Sequence, residues 1–327
     1  MFHSPPGKRK YPVFLSCILF LLWGSLFAQQ PILKNFNVKD GLPSSEVYCS
    51  FQDSRGFIWF GTDGGVTCFD GYTFKNYTTE DGLVDNTVFG ITEDHQQRIW
   101  FRSLSGKICF LKNDSIYSLG CNDSISGVIK NAIVVSLYVD SGDTIWCGLR
   151  SSEGYFKINP GYKAKDFQYV KLCLSGFYIV SVERSRYISG SLVCSDASPE
   201  LYLFNKSKLL SQAHLDKSFL VSGMISEQIQ GDTFLVSNRN KPLLLIGNKL
   251  STACLPAVKS SGDIIALRKT GAYYWIGSTK GGVLRCNSYL ALDGGIGEKI
   301  LADLSVSDVL VDDEGGTWFT TLENGVY

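Results

Sequence analysis

The chain has 327 residues, room for two or three ordinary domains or one large repeat architecture, and 44% of them are apolar. Glycine is plentiful (33), proline (9) and methionine (2) are scarce, and aromatics reach 13%. That balance points to an all-β protein with many tight turns and argues against wholesale disorder. Basic and acidic residues balance at 31 each, without the basic surplus that marks a nucleic-acid binder.

Residues 1–28 read as a secretory signal peptide. Lys8, Arg9 and Lys10 precede an apolar run of 15 residues, VFLSCILFLLWGSLF, and Ala28 precedes QQP as the expected cleavage point. An uncleaved membrane anchor is the alternative, but the run is shorter than the ~20 residues a span needs. Cys17 lies too early in the run for a lipoprotein cysteine. Removing the leader leaves 28 Lys/Arg against 31 Asp/Glu. The mature region, 29–327, is expected to be exported to the periplasm and soluble as given.

Ten cysteines include Cys17, which leaves nine in the mature region, an odd number without a C-x-x-C pair. They are expected to act as small buried hydrophobes. Cys68 and Cys109 are expected at equivalent positions of a repeat. No His/Cys cluster suggests a metal, and no motif calls for a cofactor.

Residues 33–70 overlay 74–111 at an offset of 41 with no gap and 13 identities, among them Asp53/Asp94, Trp59/Trp100, Gly65/Gly106 and Cys68/Cys109. A period of 40–45 residues is that of propeller blades. Trp59, Trp100, Trp146, Trp275 and Trp318 mark the period, with Tyr187 and Phe234 filling the slots between Trp146 and Trp275. Seven copies result. In the second copy the strands are expected at 88–94, 98–103, 106–111 and 115–119, from alternation and β-branched or aromatic enrichment. Four strands repeated radially make a β-propeller blade, and the large aromatic of each copy is expected to pack between neighbouring blades.

The first mature segment, ILKNFNVKDGL, matches TFKNYTTEDGL, the outermost strand of the first copy, and the last segment, DEGGTWFTTLENGVY, stops after a third strand. The N-terminal strand is therefore expected to pair beside ENGVY as the outer strand of the last blade, covering an open edge. The expected architecture is all-β, a seven-bladed propeller of four-stranded antiparallel blades closed in this way.

DSRGFIWFGTDGGVTCFD, DHQQRIWFRSLSGKICFL and DSGDTIWCGLRSSEGYFKI, with TGAYYWIGSTKGGVL and DEGGTWFTTLENGVY later, resemble the two-component regulator propeller repeat. The resemblance spans essentially the whole mature region, strongest in copies one, two, three, six and seven. It implies the periplasmic sensor of a bacterial histidine kinase, in a family whose members usually carry two seven-bladed rings, an immunoglobulin-like domain, a transmembrane helix and a kinase. Some members control polysaccharide-utilisation genes. The expectation is a sensor of a small molecule or oligosaccharide, with a second propeller or a homodimer mate as possible partner. Membrane attachment would come only through a segment absent here. A free-standing exported binder or scaffold, and an exported propeller enzyme, remain the alternatives.

No nucleophile elbow, phosphate loop or zinc spacing is present. GTDGG (61–65) joins two strands and does not open a helix, so the phosphate-loop reading fails. Glu93–Asp94 and Asp312, Asp313 and Glu314 fall at repeat turns, where turn chemistry explains them. Loops from strand two to three, and from strand four to the next blade, are expected on one face around the channel mouth. Asp63, Arg102, Arg150, Arg239 and Lys280 are placed on the first kind of loop, where the cations could hold an acidic sugar. Solvated surface residues are the plainer alternative.

Overall fold

The repeated turn is where the fold begins. In the computed structural model of the chain, Asp53 Oδ1 accepts the N–H groups of Arg55 and Phe57, both at 3.0 Å, which closes the turn between the first two strands. The other oxygen, Oδ2, accepts the indole N–H of Trp59 at 3.0 Å. Asp94, Asp140 and Asp312 repeat the arrangement, with indole bonds from Trp100 at 2.7 Å, Trp146 at 2.9 Å and Trp318 at 2.7 Å. Trp275 bonds Thr270 Oγ1 at 2.6 Å instead. One carboxylate thus folds the backbone and fixes the ring that the sheet will bury. The structure describes residues 33–128, 133–150, 154–171, 177–184, 189–195, 200–205, 208–214, 224–230, 233–238, 241–246, 249–251, 262–287 and 297–327, with strand backbone alone between 172 and 261.

The first sheet holds β1 (Val47–Gln52), β2 (Ile58–Thr62), β3 (Val66–Phe69) and β4 (Phe74–Tyr77), antiparallel and paired in chain order. The second holds β5 (Val88–Glu93), β6 (Ile99–Ser103), β7 (Ile108–Lys112) and β8 (Ser115–Ser118), followed by the short helix α1 (Asn122–Val128). The third holds β9 (Ile133–Val139), β10 (Ile145–Arg150), β11 (Gly154–Ile158) and β12 (Phe167–Lys171). The fourth holds β13 (Phe177–Arg184), β14 (Ser189–Ser195), β15 (Glu200–Asn205) and β16 (Lys208–His214). The fifth holds β17 (Met224–Gln230), β18 (Thr233–Asn238), β19 (Lys241–Ile246) and β20 (Lys249–Ser251). The sixth holds β21 (Ile264–Thr270), β22 (Tyr273–Ser278), β23 (Gly282–Cys286) and β24 (Glu298–Ile300), and a pair, β25 (Val306–Val311) with β26 (Thr317–Thr321), ends the chain. The expected leader at 1–28, Tyr187 and Arg239 lie outside the described residues, as do the side chains of Phe234 and Arg150.

First strands lie against first strands: β1 against β5, β5 against β9, β9 against β13, β13 against β17, β17 against β21, β21 against β25, and β25 against β1. Apolar layers fill the space between consecutive sheets. Trp59 and Val66 pack with Val88, Ile99 and Phe101 of the second sheet. Trp100 and Ile108 pack with Val134, Ile145 and Phe156 of the third, and Trp275 with Val306 and Phe319. Trp318 meets Phe60 and Phe69 of the first sheet at ring separations of 5.7 and 5.6 Å. Burying one large apolar side chain contributes about 1.5–3 kcal/mol, so these rings are the main glue between sheets. Turns add a polar clasp: Ser54 donates its N–H and hydroxyl to Glu93, at 2.7 and 2.8 Å, and the N–H of Asp313 donates to Gln52 Oε1 at 2.9 Å.

The second sheet follows the sequence-based expectation closely, with one correction. Trp59 pairs with Cys68, but Trp100 pairs with Phe110, and Phe101 pairs with Cys109 where Phe60 pairs with Thr67. The loop between β6 and β7 is one residue longer than that between β2 and β3, so the ungapped overlay slips by one in the third strand. Cys68 and Cys109 are not equivalents. A one-residue slip exchanges faces: Cys109 and Thr67 are both buried, whereas Cys68 and Phe110 are both half-buried.

At the start of the described chain, Phe36 N–H donates to Val326 O at 2.7 Å and Val326 N–H returns the bond at 2.9 Å. Val326 also bridges to Thr320. Within the first sheet Val66 stands between Gly61 and Tyr77 in the same way. Phe36 therefore occupies beside Val326 the place that Tyr77 occupies beside Val66.

Candidate functional site

The loops of one face are tied together by a recurring bond. The residue that ends the second strand's hairpin donates its N–H to the residue just before the first strand. The pairs are Asp63 to Glu46 O (3.4 Å), Leu104 to Thr87 O (2.9 Å), Thr279 to Asp263 O (2.9 Å) and Leu322 to Ser305 O (3.0 Å). Loops of both expected kinds thus share a face. Thr62 and Thr321 stiffen it, each donating a hydroxyl to a loop carbonyl, of Gly65 and Gly325, at 2.8 Å.

Just below this face several first strands carry a bulge. In β1 it falls between Val47 and Cys49, in β5 between Val88 and Gly90, in β21 between Ile264 and Ala266, and in β25 between Val306 and Asp308. A bulge adds an unpaired residue and re-aims its side chain. The added residues in the first two sheets are Tyr48 and Phe89, and their rings lie 4.6 Å apart at 49°. Tyr48 donates its hydroxyl to Glu46 Oε2 at 2.8 Å. Burial, then the Glu46 carboxylate and the charge of Asp63, hold the Tyr48 phenol well above its ordinary range. Glu46, Asp63 and Leu104 are exposed around the pair. The result is a half-buried aromatic platform with carboxylate acceptors at its edge. It can stack a ring and accept hydroxyl hydrogens.

The expected rim residues scatter. Asp63 is in the loop as expected, and Lys280 is exposed in the turn between β22 and β23. Arg102 is not on a loop but within β6, where Nη1 donates to Val134 O at 2.8 Å and Nη2 to Phe89 O at 2.6 Å. Its guanidinium spans two first strands and works as a tether. Arg150 is the last residue of β10 rather than a loop residue. Glu46, Tyr48 and Phe89 were not singled out by sequence, although Tyr48 and Phe89 stand 41 residues apart at one repeat position. That recurrence of an aromatic was the available signal.

Deeper along the first strands, Asp308 is buried and accepts Ser50 N–H at 3.0 Å, Ser50 Oγ at 3.1 Å and Arg268 Nη2 at 2.9 Å. This joins β1, β21 and β25. Cys49 is buried, and burial followed by the charge of Asp308 pushes its thiol up to about 12, so it is no nucleophile at neutral pH. Among the described residues no three His, Cys, Asp or Glu side chains are placed to hold a metal ion. Nor is any described helix long and apolar enough to cross a membrane.

Repeated four-stranded antiparallel sheets, neighbouring one another through their first strands, define the β-propeller class. Residues 41–64 match the two component regulator propeller family, so the chain carries that repeat as its sequence pattern implies. Among solved structures, it is similar to the extracellular domains of two hybrid two-component systems of B. thetaiotaomicron. One has 17% identity and a TM-score of 0.64, covering 90% of this chain and 41% of that one. The other has 16% identity and a TM-score of 0.66, covering 90% and 39%. The chain thus spans about two fifths of their length. It is also similar to virginiamycin B lyase from Staphylococcus aureus, at 14% identity and a TM-score of 0.64, covering 86% of this chain and 94% of the lyase. At such identities the likeness is one of fold. No curated protein matches the chain.

Proposed function

We propose that the chain is the ligand-sensing propeller of an exported two-component sensor and that it reads a glycan fragment at the loop face. The observation that carries this is the Tyr48–Phe89 platform flanked by Glu46 and Asp63. A pyranose presents apolar C–H faces to aromatic rings and hydroxyls to carboxylates, which is the chemistry this arrangement offers. The repeat match and the fold shared with extracellular domains of hybrid two-component systems support the sensor class.

In this reading residues 1–28 are a cleaved leader and the mature chain folds as seven blades. Phe36 beside Val326 completes the last blade, and the unbroken succession of first-strand neighbours from β1 round to β25 and back supports closure. Output passes to a kinase beyond the membrane, through a shift in the orientation of a paired propeller or homodimer mate.

Calorimetric titration of the purified chain with a panel of neutral and acidic oligosaccharides tests the reading. Binding by one of them, lost in Tyr48→Ala while the melting temperature is kept, is expected. Silence across the panel, or binding indifferent to Tyr48, overturns the assignment of the face. Turnover of a bound sugar would favour an exported propeller enzyme, a reading for which the virginiamycin B lyase fold is a precedent.

A further inference from the structure

Consecutive sheets meet through the same repeat positions, yet two neighbouring interfaces are filled differently. Between the second and third sheets, the Arg98 guanidinium is held over three rings. It lies 5.1 Å from that of Trp100, 5.4 Å from Phe110 and 5.5 Å from Tyr162. It bonds Asp94 and Asp143, each at 2.5 Å, and its side chain is 8% exposed. Tyr162 comes from the long connection between β11 and β12 and donates its hydroxyl to Asp143 O at 3.2 Å. That interface is closed by the protein's own side chains.

Between the first and second sheets Trp59 keeps the place of Trp100, but the positions of the other two rings are vacated. By strand register Cys68 stands where Phe110 stands. Where the next sheet sends Tyr162, this one has a two-residue turn, Asn113–Asp114, both left-handed, between Lys112 and Ser115. A cavity of about 380 Å³ lies there, within the size range of small-molecule pockets. Trp59, Ile99 and Leu111 give it an apolar floor, all three buried.

Charge settles the polarity of a guest. The rim carries Arg55, Lys75 and Lys112 against Asp70 and Asp114, a surplus of one positive charge. Both carboxylates are already engaged. Asp70 accepts the N–H groups of Tyr72 and Thr73 at 2.8 and 2.7 Å, and Asp114 accepts Lys75 Nζ at 2.9 Å and the Tyr77 hydroxyl at 3.0 Å. Arg55 bonds Asp53 through Nε and Nη2, which leaves Nη1 out of that pair. Lys112 is exposed and makes no ion pair among the described residues.

We propose that this cavity binds a carboxylate carried on a single six-membered ring. The ring takes the space that aromatic side chains fill one interface further on, and the carboxylate meets Lys112 and the open edge of Arg55. The site lies between sheets, apart from the loop-face platform, and does not depend on it.

Ligand-observed NMR and calorimetry on the purified chain at low salt, with benzoate and glucuronate as separate probes, test the proposal. One probe is expected to bind with a dissociation constant of about 1 mM or tighter. Benzoate identifies an aromatic acid and glucuronate a sugar acid as the natural class. Cys68→Phe supplies the missing ring and is expected to weaken binding at least about tenfold, as is Lys112→Glu, about 1.4 kcal/mol each. Tyr48→Ala leaves this binding unchanged. Neither probe saturating overturns the proposal, and so does a Cys68→Phe chain of unaltered melting temperature that binds like the parent. Should Cys68→Phe unfold, the surface change Lys112→Glu decides: unchanged affinity there overturns it.

Discussion

Asp94 Oδ2 accepts the indole N–H of Trp100 at 2.7 Å, while Oδ1 accepts the N–H groups of Gln96 and Arg98 at 2.9 and 3.0 Å. Both residues are buried. Removing the carboxylate strands these donors and leaves the Arg98 guanidinium with Asp143 alone at a site 8% exposed. Asp94→Ala is therefore expected to lose about 3 kcal/mol of stability, read from urea unfolding. A loss below about 0.5 kcal/mol, the level of ordinary surface changes, would show that the turn folds without it.

The same carboxylate makes the fold acid-sensitive. Burial opposes its ionisation, but the bonds from Trp100 and from the backbone and side chain of Arg98 outweigh that and hold Asp94 below the usual carboxylate range. A depressed native value means stability is present above the unfolded value, about 3.9, and drains away as pH falls through the native one. Melting temperature should thus decline below about pH 4. Asp94→Asn, already neutral, should start lower and show a shallower decline. Parallel curves would assign the acid loss to other groups.

Arg102 and Gly90 face each other across β5 and β6 in the pairing that Gly61 and Cys49 occupy in the first sheet. Large and small residues have exchanged strands. A Cβ on Gly61 would come within 2.6 Å of Val88 O, and one on Gly90 within 2.8 Å of Arg102 Nε. Gly90→Val is expected to displace the guanidinium from Val134 O and Phe89 O and to cost about 2–3 kcal/mol, one charged hydrogen bond's worth or more. Adding Arg102→Gly should recover part of that loss, since the clash is removed. A double variant as unstable as the sum of the two singles would sink the size-exchange account.

The repeat made most of this legible. Tryptophans spaced like a period gave the sheets, and Asp-x-x-Gly gave the turns, because both signals are local. The third strand of the second sheet departs by one residue from the ungapped repeat, since an extra loop residue changes register without changing the composition of β7. The place of Arg102 inside β6 is not legible locally, because only the pairing across the sheet reveals that Gly90 makes room for it. The Tyr48–Phe89 platform is not legible in sequence, because a bulge is a relationship between two strands, which one strand's sequence does not display. The aromatic recurrence at 48 and 89 was visible, but its aim was not.

Gly325 tests how the first described residues hold the last strand. Its φ is +73°, and a Cβ there would fall inside contact distance of Phe36 O, the acceptor of the Val326 N–H. Gly315 has a comparable φ of +88° with nothing within 4 Å of such a Cβ. Both changes to alanine impose left-handed strain of about 1–3 kcal/mol, but only Gly325→Ala should also push Phe36 away from Val326. Phe36 packs on Phe69, Phe74 and Trp318 at ring separations of 5.4, 5.6 and 5.9 Å, so the displacement should loosen the Trp318 interface too. Gly325→Ala is therefore expected to melt well below Gly315→Ala, with faster amide exchange at Val326. Equal melting temperatures for the two would mean that Phe36 contributes nothing to holding the final sheet.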